Sequence, residues 1–290
     1  MKITGFTIAR NVVKFGYPIK ESIQSILPIC DEFLISVGDS EDNTLEYLKE
    51  INSPKIKFIE TTWNETLMDG GKVLAVETNI AFQNIDNKSD WCFYIQADEV
   101  VHEKYLTNIK NAMLRYLDDK QVEGLLFKYH HFYHSYNLML APSDYYQREI
   151  RVIRNNKSIY SYRDAQGFRI DDNRKLNVKL IDAYMYHYGM VRPPEKMYKK
   201  QESMLKYYYD DEYIKNKLDQ PDDYDYYKKD AYLIPFKETH PELMQPYVDE
   251  MDWEVDLNRY RKNHSLKNQL KIFIDKYTPI NPFYSNYKII

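Results

Sequence analysis

The sequence predicts an α/β protein in which helices flank a mostly parallel sheet. Short apolar runs alternate with segments of helical spacing from residue 2 to residue 95, which is typical of parallel strands joined by crossover helices. Polar residues follow these apolar runs, at the sheet edge where open α/β proteins hold their ligands. Hydrophobic residues make up 43% of the 290 positions, enough to build a core.

The first third of the chain supplies four predicted strands and the helices between them. The strands are expected at 2–8, 33–37, 56–59 and 91–95. The first helix, over 19–27, ends at Pro28. Asn43 opens the second helix, with Glu46 as its capping-box partner. Gly70 and Gly71 precede the third helix, whose apolar residues follow helical spacing.

Beyond residue 100 the strands are predicted to run in mixed directions. A helix is expected after His102, followed by strands at 124–133, 150–153, 158–162 and 184–189. From residue 195 onward Lys, Tyr and Asp accumulate with helical spacing. We therefore expect one α/β domain over residues 1–190 and a helical, Tyr-rich C-terminal appendage over residues 191–290.

Composition excludes several classes of protein. The net charge of −4 and the pI near 6.0 argue against a general nucleic-acid or membrane-surface binder. Apolar runs are too short to span a bilayer. Cys30 and Cys92 lie in apolar runs typical of buried free thiols, and the N-terminus begins a strand without a leader pattern. A cytoplasmic protein is therefore expected.

An acidic pair, Asp98 and Glu99, follows the fourth predicted strand. A carboxylate on such a rigid strand end can hold a divalent cation against a phosphate oxygen; otherwise the two acids begin a helix. Since right-handed crossovers place the strand ends on one edge, Asn11 and Asp39 should converge with Asp98. Neither a dinucleotide-binding glycine motif nor a P-loop occurs, so those two functions lose their main support.

Four stretches within residues 1–195 resemble family 2 glycosyltransferases with a GT-A fold. They are Ile8–Asn11; Cys30–Phe33 with Val37–Thr44; Gly71–Lys72 with Asn79, Ala81 and Asp90–Glu99; and Tyr186–Gly189. The resemblance implies an inverting transferase that moves a sugar from a nucleotide-diphosphate sugar, most often a UDP-sugar, to a hydroxyl of a glycan or another acceptor. Residues 1–190 would form the catalytic domain, and polysaccharide synthesis would be the setting.

The resemblance also implies a metal ion. Asp98 and His187 would hold Mn²⁺ or Mg²⁺ against the donor diphosphate. The family's Asp-x-Asp reads Gln96-Ala97-Asp98 here, and the neutral Gln96 amide suits contact with ribose or phosphate better than metal ligation. A histidine in such an aromatic setting is otherwise a core residue.

Further residues are predicted near the nucleotide. These are Ala9, Arg10, Asn11, Asp39, Lys72, Gln96, Ala97, Asp98 and Arg192. Arg10 is the candidate phosphate clamp, with Asn11 as a capping residue beside it. Asp39 would bind the base or ribose, or else form a turn. Lys72 either meets the nucleotide or is an exposed helical lysine. Arg192 belongs to a candidate basic lid over the diphosphate, together with Lys196, Lys199 and Lys200, although a solvated helix face explains most of these lysines better.

The general base is expected to be a carboxylate that takes the proton of the acceptor hydroxyl. Asp164 is the first choice, because it lies in a loop that follows a strand, and the family's base lies in a comparable late loop. Glu99 and Asp144 are the other candidates. A turn aspartate is the alternative explanation of Asp164.

Two other functions stay open. A nucleotidyltransferase shares the sheet and the acids, but normally has a Gly-rich first loop that Ile8–Asn11 lacks. A non-catalytic sugar-nucleotide or partner-binding protein would explain the missing first acid at Gln96. The 29 tyrosines reflect either an AT-rich genome or a surface for sugar stacking or for a homodimer.

Overall fold

The computed structural model describes residues 1–67, 69–141, 145–206, 232–259, 266, 269–270, 273–274 and 285–290. The strands are β1 (Ile3–Ala9), β2 (Glu32–Gly38), β3 (Ile56–Thr61), β4 (Trp91–Tyr94), β5 (Glu99–Val101), β6 (Gly124–Tyr133), β7 (Ser135–Leu140), β8 (Arg148–Arg154), β9 (Ile159–Tyr162), β10 (Gly167–Ile170), β11 (Arg174–Lys175), β12 (Asn177–Met190), β13 (Leu233–Pro235) and β14 (Lys288–Ile289). The α-helices are α1 (Ile19–Ile26), α2 (Thr44–Lys49), α3 (Lys72–Gln83), α4 (Leu106–Arg115), α5 (Pro194–Leu205) and α6 (Gln245–Asp249). Short 3₁₀ turns lie at Leu27–Ile29, Glu65–Leu67, Asp69–Gly71, Glu103–Tyr105, Glu242–Met244 and Leu257–Arg259.

The first four strands form the parallel half of the main sheet. They lie in the order β3, β2, β1, β4, and each neighbouring pair is parallel. The strands β1, β2 and β4 are buried almost throughout, which explains why they are almost continuously apolar, whereas the edge strand β3 is partly exposed. The helix α1 buries one apolar face, on which Ile19, Ile23 and Ile26 are fully buried. The predicted alternation of strands and helices is therefore confirmed.

Strand directions become mixed beyond β4, as expected for the second half. The strand β8 is antiparallel to both β4 and β6, and β12 is parallel to β6 and antiparallel to β5. In the part of the chain that the structure describes, eleven strands join this sheet, while β9, β10 and β11 form a separate antiparallel sheet. The predicted α/β class is confirmed. The long β12 brings the second half of the chain back to the end of β4.

The described residues after position 190 contain strands as well as helices. The strand β13 pairs with β7, and β14 pairs with β12, so both extend the main sheet. The helix α5 follows β12 directly. The predicted division at residue 190 stays a prediction, and the tyrosines at positions 207–209 of the Tyr-rich appendage lie outside the described residues.

One predicted helix cap is wrong. Asn43 makes no side-chain capping bond at the start of α2. The Asp42 carboxylate accepts the N–H of Thr44 at 3.0 Å instead. A short carboxylate reaches the backbone two residues ahead of it without strain, so the acid next to Asn43 takes over the cap.

Both cysteines are buried free thiols, as predicted. Burial raises the pKa of the Cys30 thiol and that of the Cys92 thiol to about 12. Neither thiol is therefore a nucleophile near neutral pH.

Candidate functional site

A cleft of about 660 Å³ opens at the carboxyl ends of β1 and β4. The loop between β9 and β10, the end of β12 and the helix α5 complete its walls. The predicted site residues that line it are Ala9, Arg10, Gln96, Ala97, Asp98, Asp164 and His187. Residues from five separate parts of the chain thus meet at the sheet edge where ligands were expected.

Two of the predicted nucleotide-binding residues shape the loops beside this cleft. The Arg10 Nε donates to the Asp39 carbonyl oxygen at 2.9 Å, and the Asp39 Oδ1 accepts the N–H of Trp63 at 3.0 Å. The Asn11 backbone has a φ of 54°, and its Oδ1 accepts the N–H of Glu41 at 2.7 Å. Asp39 and Asn11 therefore tie the end of β1 to the end of β2, while Arg10 and Trp63 face the cleft.

A second cavity of about 730 Å³ adjoins the first. Lys72 lines it at the start of α3, together with Asn79 and the loop residues Tyr162 and Arg163. Asp164 lines both cavities. Asp164 therefore lies where the two cavities adjoin.

The loop that carries Asp164 is held in an unusual conformation. Both neighbours of Asp164 lie in the left-handed region, Arg163 with a φ of 57° and Ala165 with a φ of 59°. The Ala165 carbonyl oxygen accepts the Gln96 Nε2 at 3.3 Å. Left-handed non-glycine residues cost free energy and cluster at functional sites. The loop is thus fastened to the turn after β4.

Glu99 has a structural role that leaves it off the cleft wall. The Arg151 guanidinium donates to both Glu99 oxygens at 2.8 Å each, and the Tyr129 hydroxyl donates at 2.8 Å. The backbone N–H of Gln96 adds a fourth bond at 3.1 Å. Since these bonds occupy a fully buried carboxylate, Glu99 is not available as a base. Asp144, another candidate, lies outside the described residues.

Asp98 lies between an imidazole and an ammonium group. The His187 Nε2 is 3.7 Å from the Asp98 Oδ1, and the Lys200 Nζ is 3.4 Å from the Asp98 Oδ2. Burial alone would raise the pKa of Asp98, but the positive charge of the protonated form of His187 and the charge of Lys200 outweigh it and lower that pKa. Asp98 is therefore a carboxylate near neutral pH.

A chain of two histidines sets the tautomer of His187. The His131 Nε2 lies 2.7 Å from the Tyr146 carbonyl oxygen, which can only accept, so this nitrogen carries the proton. Burial lowers the pKa of His131 well below its ordinary value, so the His131 Nδ1 accepts from the His187 Nδ1 at 3.1 Å. Burial lowers the pKa of His187 as well. The His187 Nε2 therefore presents a lone pair toward Asp98.

Gly189 allows these groups to approach one another. Its carbonyl oxygen accepts the Lys200 Nζ at 2.5 Å and the Arg192 Nη1 at 2.6 Å. A Cβ at this position would lie 2.6 Å from the Asp98 Oδ2 and 2.8 Å from the His187 Nε2. A glycine therefore fits here without a clash. Arg192, which was predicted to bind the nucleotide, contacts this carbonyl and does not line the cleft.

Lys200 is a site residue that the sequence placed in the candidate basic lid, although a solvated helix face was favoured for most lysines of that lid. It is buried against Asp98 and lines the cleft. Burial, followed by the Arg192 charge, lowers the pKa of Lys200 to about 7. A signal did exist, since Met197 precedes Lys200 by three positions and lies on the same buried helix face.

The divalent ion implied by the family resemblance does not fit this arrangement. Asp98 and His187 offer two suitable donor atoms, but the Lys200 ammonium already lies against the Asp98 carboxylate. Among the residues that the structure describes, no group of three or more His, Cys, Asp or Glu side chains is placed to hold a metal. A divalent cation at Asp98 would have to displace the Lys200 amino group, which already occupies the position beside the carboxylate.

Comparison with known proteins gives similarity to solved structures only. No protein-family model matches the chain, and no curated protein does. The structure of S. aureus TarS 1–349 in complex with UDP-GlcNAc is 18% identical, with a TM-score of 0.39, over 70% of this chain and 65% of that chain. The match to the longer S. aureus TarS chain spans 39% of it, with a TM-score of 0.40 and 16% identity.

Two further structures are similar in the same way. The 4-diphosphocytidyl-2C-methyl-D-erythritol synthase of Anaerococcus prevotii is 13% identical, with a TM-score of 0.39, over 74% of this chain and 96% of that chain. The glucosyl-3-phosphoglycerate synthase of Mycobacterium tuberculosis, in complex with Mn²⁺, UDP and phosphoglyceric acid, is 17% identical, with a TM-score of 0.29, over 46% and 43% of the two chains.

These similarities are weak and establish no family, activity or substrate for this chain. The sheet order and directions described above give a mixed α/β protein, as the sequence predicted. The chain spans less than two thirds of the TarS and M. tuberculosis chains that it matches. In the described residues, no helix is long and apolar enough to cross a membrane.

Proposed function

We propose that the protein is a glycosyltransferase that binds a nucleotide-diphosphate sugar in the 660 Å³ cleft. One observation carries the proposal: a single cleft brings together Arg10, Asp98 and Asp164, which come from three distant parts of the chain. Arg10 suits a phosphate or ribose contact, Lys200 and Asp98 line the same cleft, and Asp164 is the candidate base. The sheet edge that they share is the usual ligand site of open α/β folds.

The proposed reaction is a single displacement. The Asp164 carboxylate takes the proton of the acceptor hydroxyl while that oxygen forms a bond to the anomeric carbon of the sugar. The bond between the anomeric carbon and the phosphate oxygen breaks, and its electron pair leaves with the nucleoside diphosphate. The products are an inverted glycoside, a nucleoside diphosphate and the protonated Asp164.

The position of Asp164 supports its proposed role as the base between donor and acceptor. It lines the 660 Å³ cleft and also the adjoining 730 Å³ cavity. With the donor in the first cavity, an acceptor hydroxyl in the second would approach the sugar past Asp164. Lys72 and Asn79 would then contact the acceptor rather than the nucleotide.

The first experiment identifies the donor. Thermal unfolding is measured with UDP-, GDP-, ADP- and CDP-sugars, because a ligand that binds only the folded state raises the unfolding temperature. UDP-sugars are tested first, since the family resemblance implies them. The predicted use of Mn²⁺ or Mg²⁺ stays a prediction, so each titration is run with either ion and with EDTA. If no nucleotide sugar shifts unfolding under any condition, the proposal fails.

The second experiment tests the base. Asp164→Asn should retain donor binding and lose about 10²–10⁴-fold in transfer rate, the usual contribution of a general base. Asp172→Asn is the matched control, because Asp172 is an exposed turn aspartate that lines neither cavity. Normal transfer by Asp164→Asn would rule out the assignment. A nucleotidyltransferase would instead release pyrophosphate, so product analysis separates the two reactions.

A further inference from the structure

We propose that Lys200 is the cation that meets the donor diphosphate, in the place of the divalent ion that the family resemblance implies. The inference rests on the proposed function, because it concerns the same cleft and the same nucleotide. It assigns a binding role to the helix α5, which follows the last long strand.

The position of Lys200 is built into the structure. An exposed lysine keeps its ammonium in water, but Lys200 is only 8% exposed. Its Nζ donates to the Gly189 carbonyl oxygen at 2.5 Å and lies 3.4 Å from the Asp98 Oδ2. Burying an ammonium is costly unless it is paired, so these contacts hold the amino group at a defined place on the cleft wall, where a bound phosphate would favour its protonated form.

The surroundings of this ammonium favour a polyanion. The Arg192 guanidinium donates to the same Gly189 carbonyl oxygen at 2.6 Å. Two cationic side chains thus converge on one carbonyl, and Asp98 is the carboxylate beside them. An excess of positive charge in a partly closed cleft attracts phosphate groups.

Asp98 and His187 explain why a cation is needed here. The carboxylate and the His187 Nε2 lone pair are both acceptors, 3.7 Å apart. Two facing acceptors require a donor or a cation near them, and Lys200 supplies it to Asp98. A divalent ion could bind Asp98 only after displacing Lys200, so Asp98 acts as a positioning residue for the ammonium.

The chemistry of the leaving group fits a fixed cation. When the bond between the anomeric carbon and the phosphate oxygen breaks, the electron pair stays with the nucleoside diphosphate. A preorganised ammonium close to that oxygen offsets the new charge without reorganisation. Lys200 can supply this ammonium from the helix α5, which is anchored by the buried Met197 three positions earlier.

The test measures nucleotide binding by calorimetry, in EDTA and again in Mn²⁺. The probes are UDP and uridine, replaced by GDP, ADP or CDP and the matching nucleoside if one of these gives the larger shift in the donor screen. Wild-type protein should bind UDP equally well in EDTA and in Mn²⁺. Lys200→Met in EDTA should bind UDP about 10- to 100-fold more weakly, the range for a charge-assisted hydrogen bond, and bind uridine unchanged.

Lys199→Met is the matched control, because Lys199 lies next to Lys200 on the same helix and is exposed. This variant should bind both probes like the wild type. Thermal unfolding confirms that each variant is folded. If Lys200→Met does not fold, Lys200→Gln carries the same expectation, since it removes the charge and keeps a donor for the Gly189 carbonyl.

Two results would overturn the inference while the proposed function stands. In the first, wild-type protein binds UDP only when Mn²⁺ is present. In the second, the charge-removing variant binds UDP in EDTA as tightly as the wild type. A third result, in which no nucleoside diphosphate binds in either EDTA or Mn²⁺, would overturn the proposed function and the inference with it.

Discussion

The buried ion pair between Glu99 and Arg151 holds the turn that presents Asp98, and its removal has a predictable cost. The Glu99 side chain is 0% exposed and that of Arg151 is 1% exposed. Arg151 donates to both carboxylate oxygens at 2.8 Å. In Arg151→Met the carboxylate would keep only the Tyr129 hydroxyl and the Gln96 N–H as donors.

The expected loss of unfolding free energy for Arg151→Met is about 3–5 kcal/mol, because removing one partner leaves an uncompensated buried charge. Methionine retains much of the aliphatic volume, so the loss would come from the charge rather than from a cavity. The double variant with Glu99→Gln has no buried charge at this place. It should recover much of the loss, with a coupling free energy of about 2–3 kcal/mol.

Urea unfolding followed by circular dichroism measures these free energies for the wild type, both single variants and the double variant. A loss below about 1 kcal/mol for Arg151→Met, or losses that simply add in the double variant, would refute the buried pair.

The same proteins test catalysis. Because Glu99 is off the cleft wall, the folded Glu99→Gln variant should transfer sugar with Asp164 as its base, whereas a catalytic Glu99 would lose transfer by orders of magnitude.

Two further predictions concern single residues. Burial raises the pKa of Glu149 from 4.5 to about 8, so its contribution to stability is full below about pH 4.5 and is lost as the pH rises through 8. Relative to Glu149→Gln, the unfolding free energy of the wild type should fall by about 1.4 kcal/mol per pH unit in that window. Parallel pH profiles of urea unfolding for the two proteins would contradict this. Gly189→Ala places a methyl group 2.6 Å from the Asp98 Oδ2 and 2.8 Å from the His187 Nε2; it should lower nucleotide affinity at least 10-fold in calorimetry, about 1.4 kcal/mol, and unchanged affinity would show that this wall of the cleft yields easily.

Local patterns in the sequence were sufficient for the strand ends that build the cleft. The buried run Trp91–Tyr94 and the polar turn after it predicted a strand that delivers Asp98 to the sheet edge, and the structure places that turn in the cleft wall. The pattern succeeds because a buried strand needs apolar residues on both faces and a ligand edge needs polar ones. Asp164 was found in the same way, from its position in a loop after a strand.

The groups around Asp98 could not be predicted in this manner. The contact between Asp98 and Lys200 joins residues 102 positions apart, and that between His131 and His187 joins residues 56 apart. Glu99 illustrates the same limit, because its partner Arg151 lies 52 positions away. Nothing within a local window distinguishes a carboxylate that faces a cleft from one that is paired beneath it.

By itself, the sequence determined the α/β class, the order of strands and helices up to β4, and the edge at which polar residues collect. These follow from local spacing, since burial imposes a period on each segment. Only the tertiary structure decided that Glu99 is held by Arg151, that His187 presents a lone pair, and that Lys200 lies against Asp98. The physical reason is that charge, tautomer and burial at a site depend on distant partners, whose placement is a property of the folded chain.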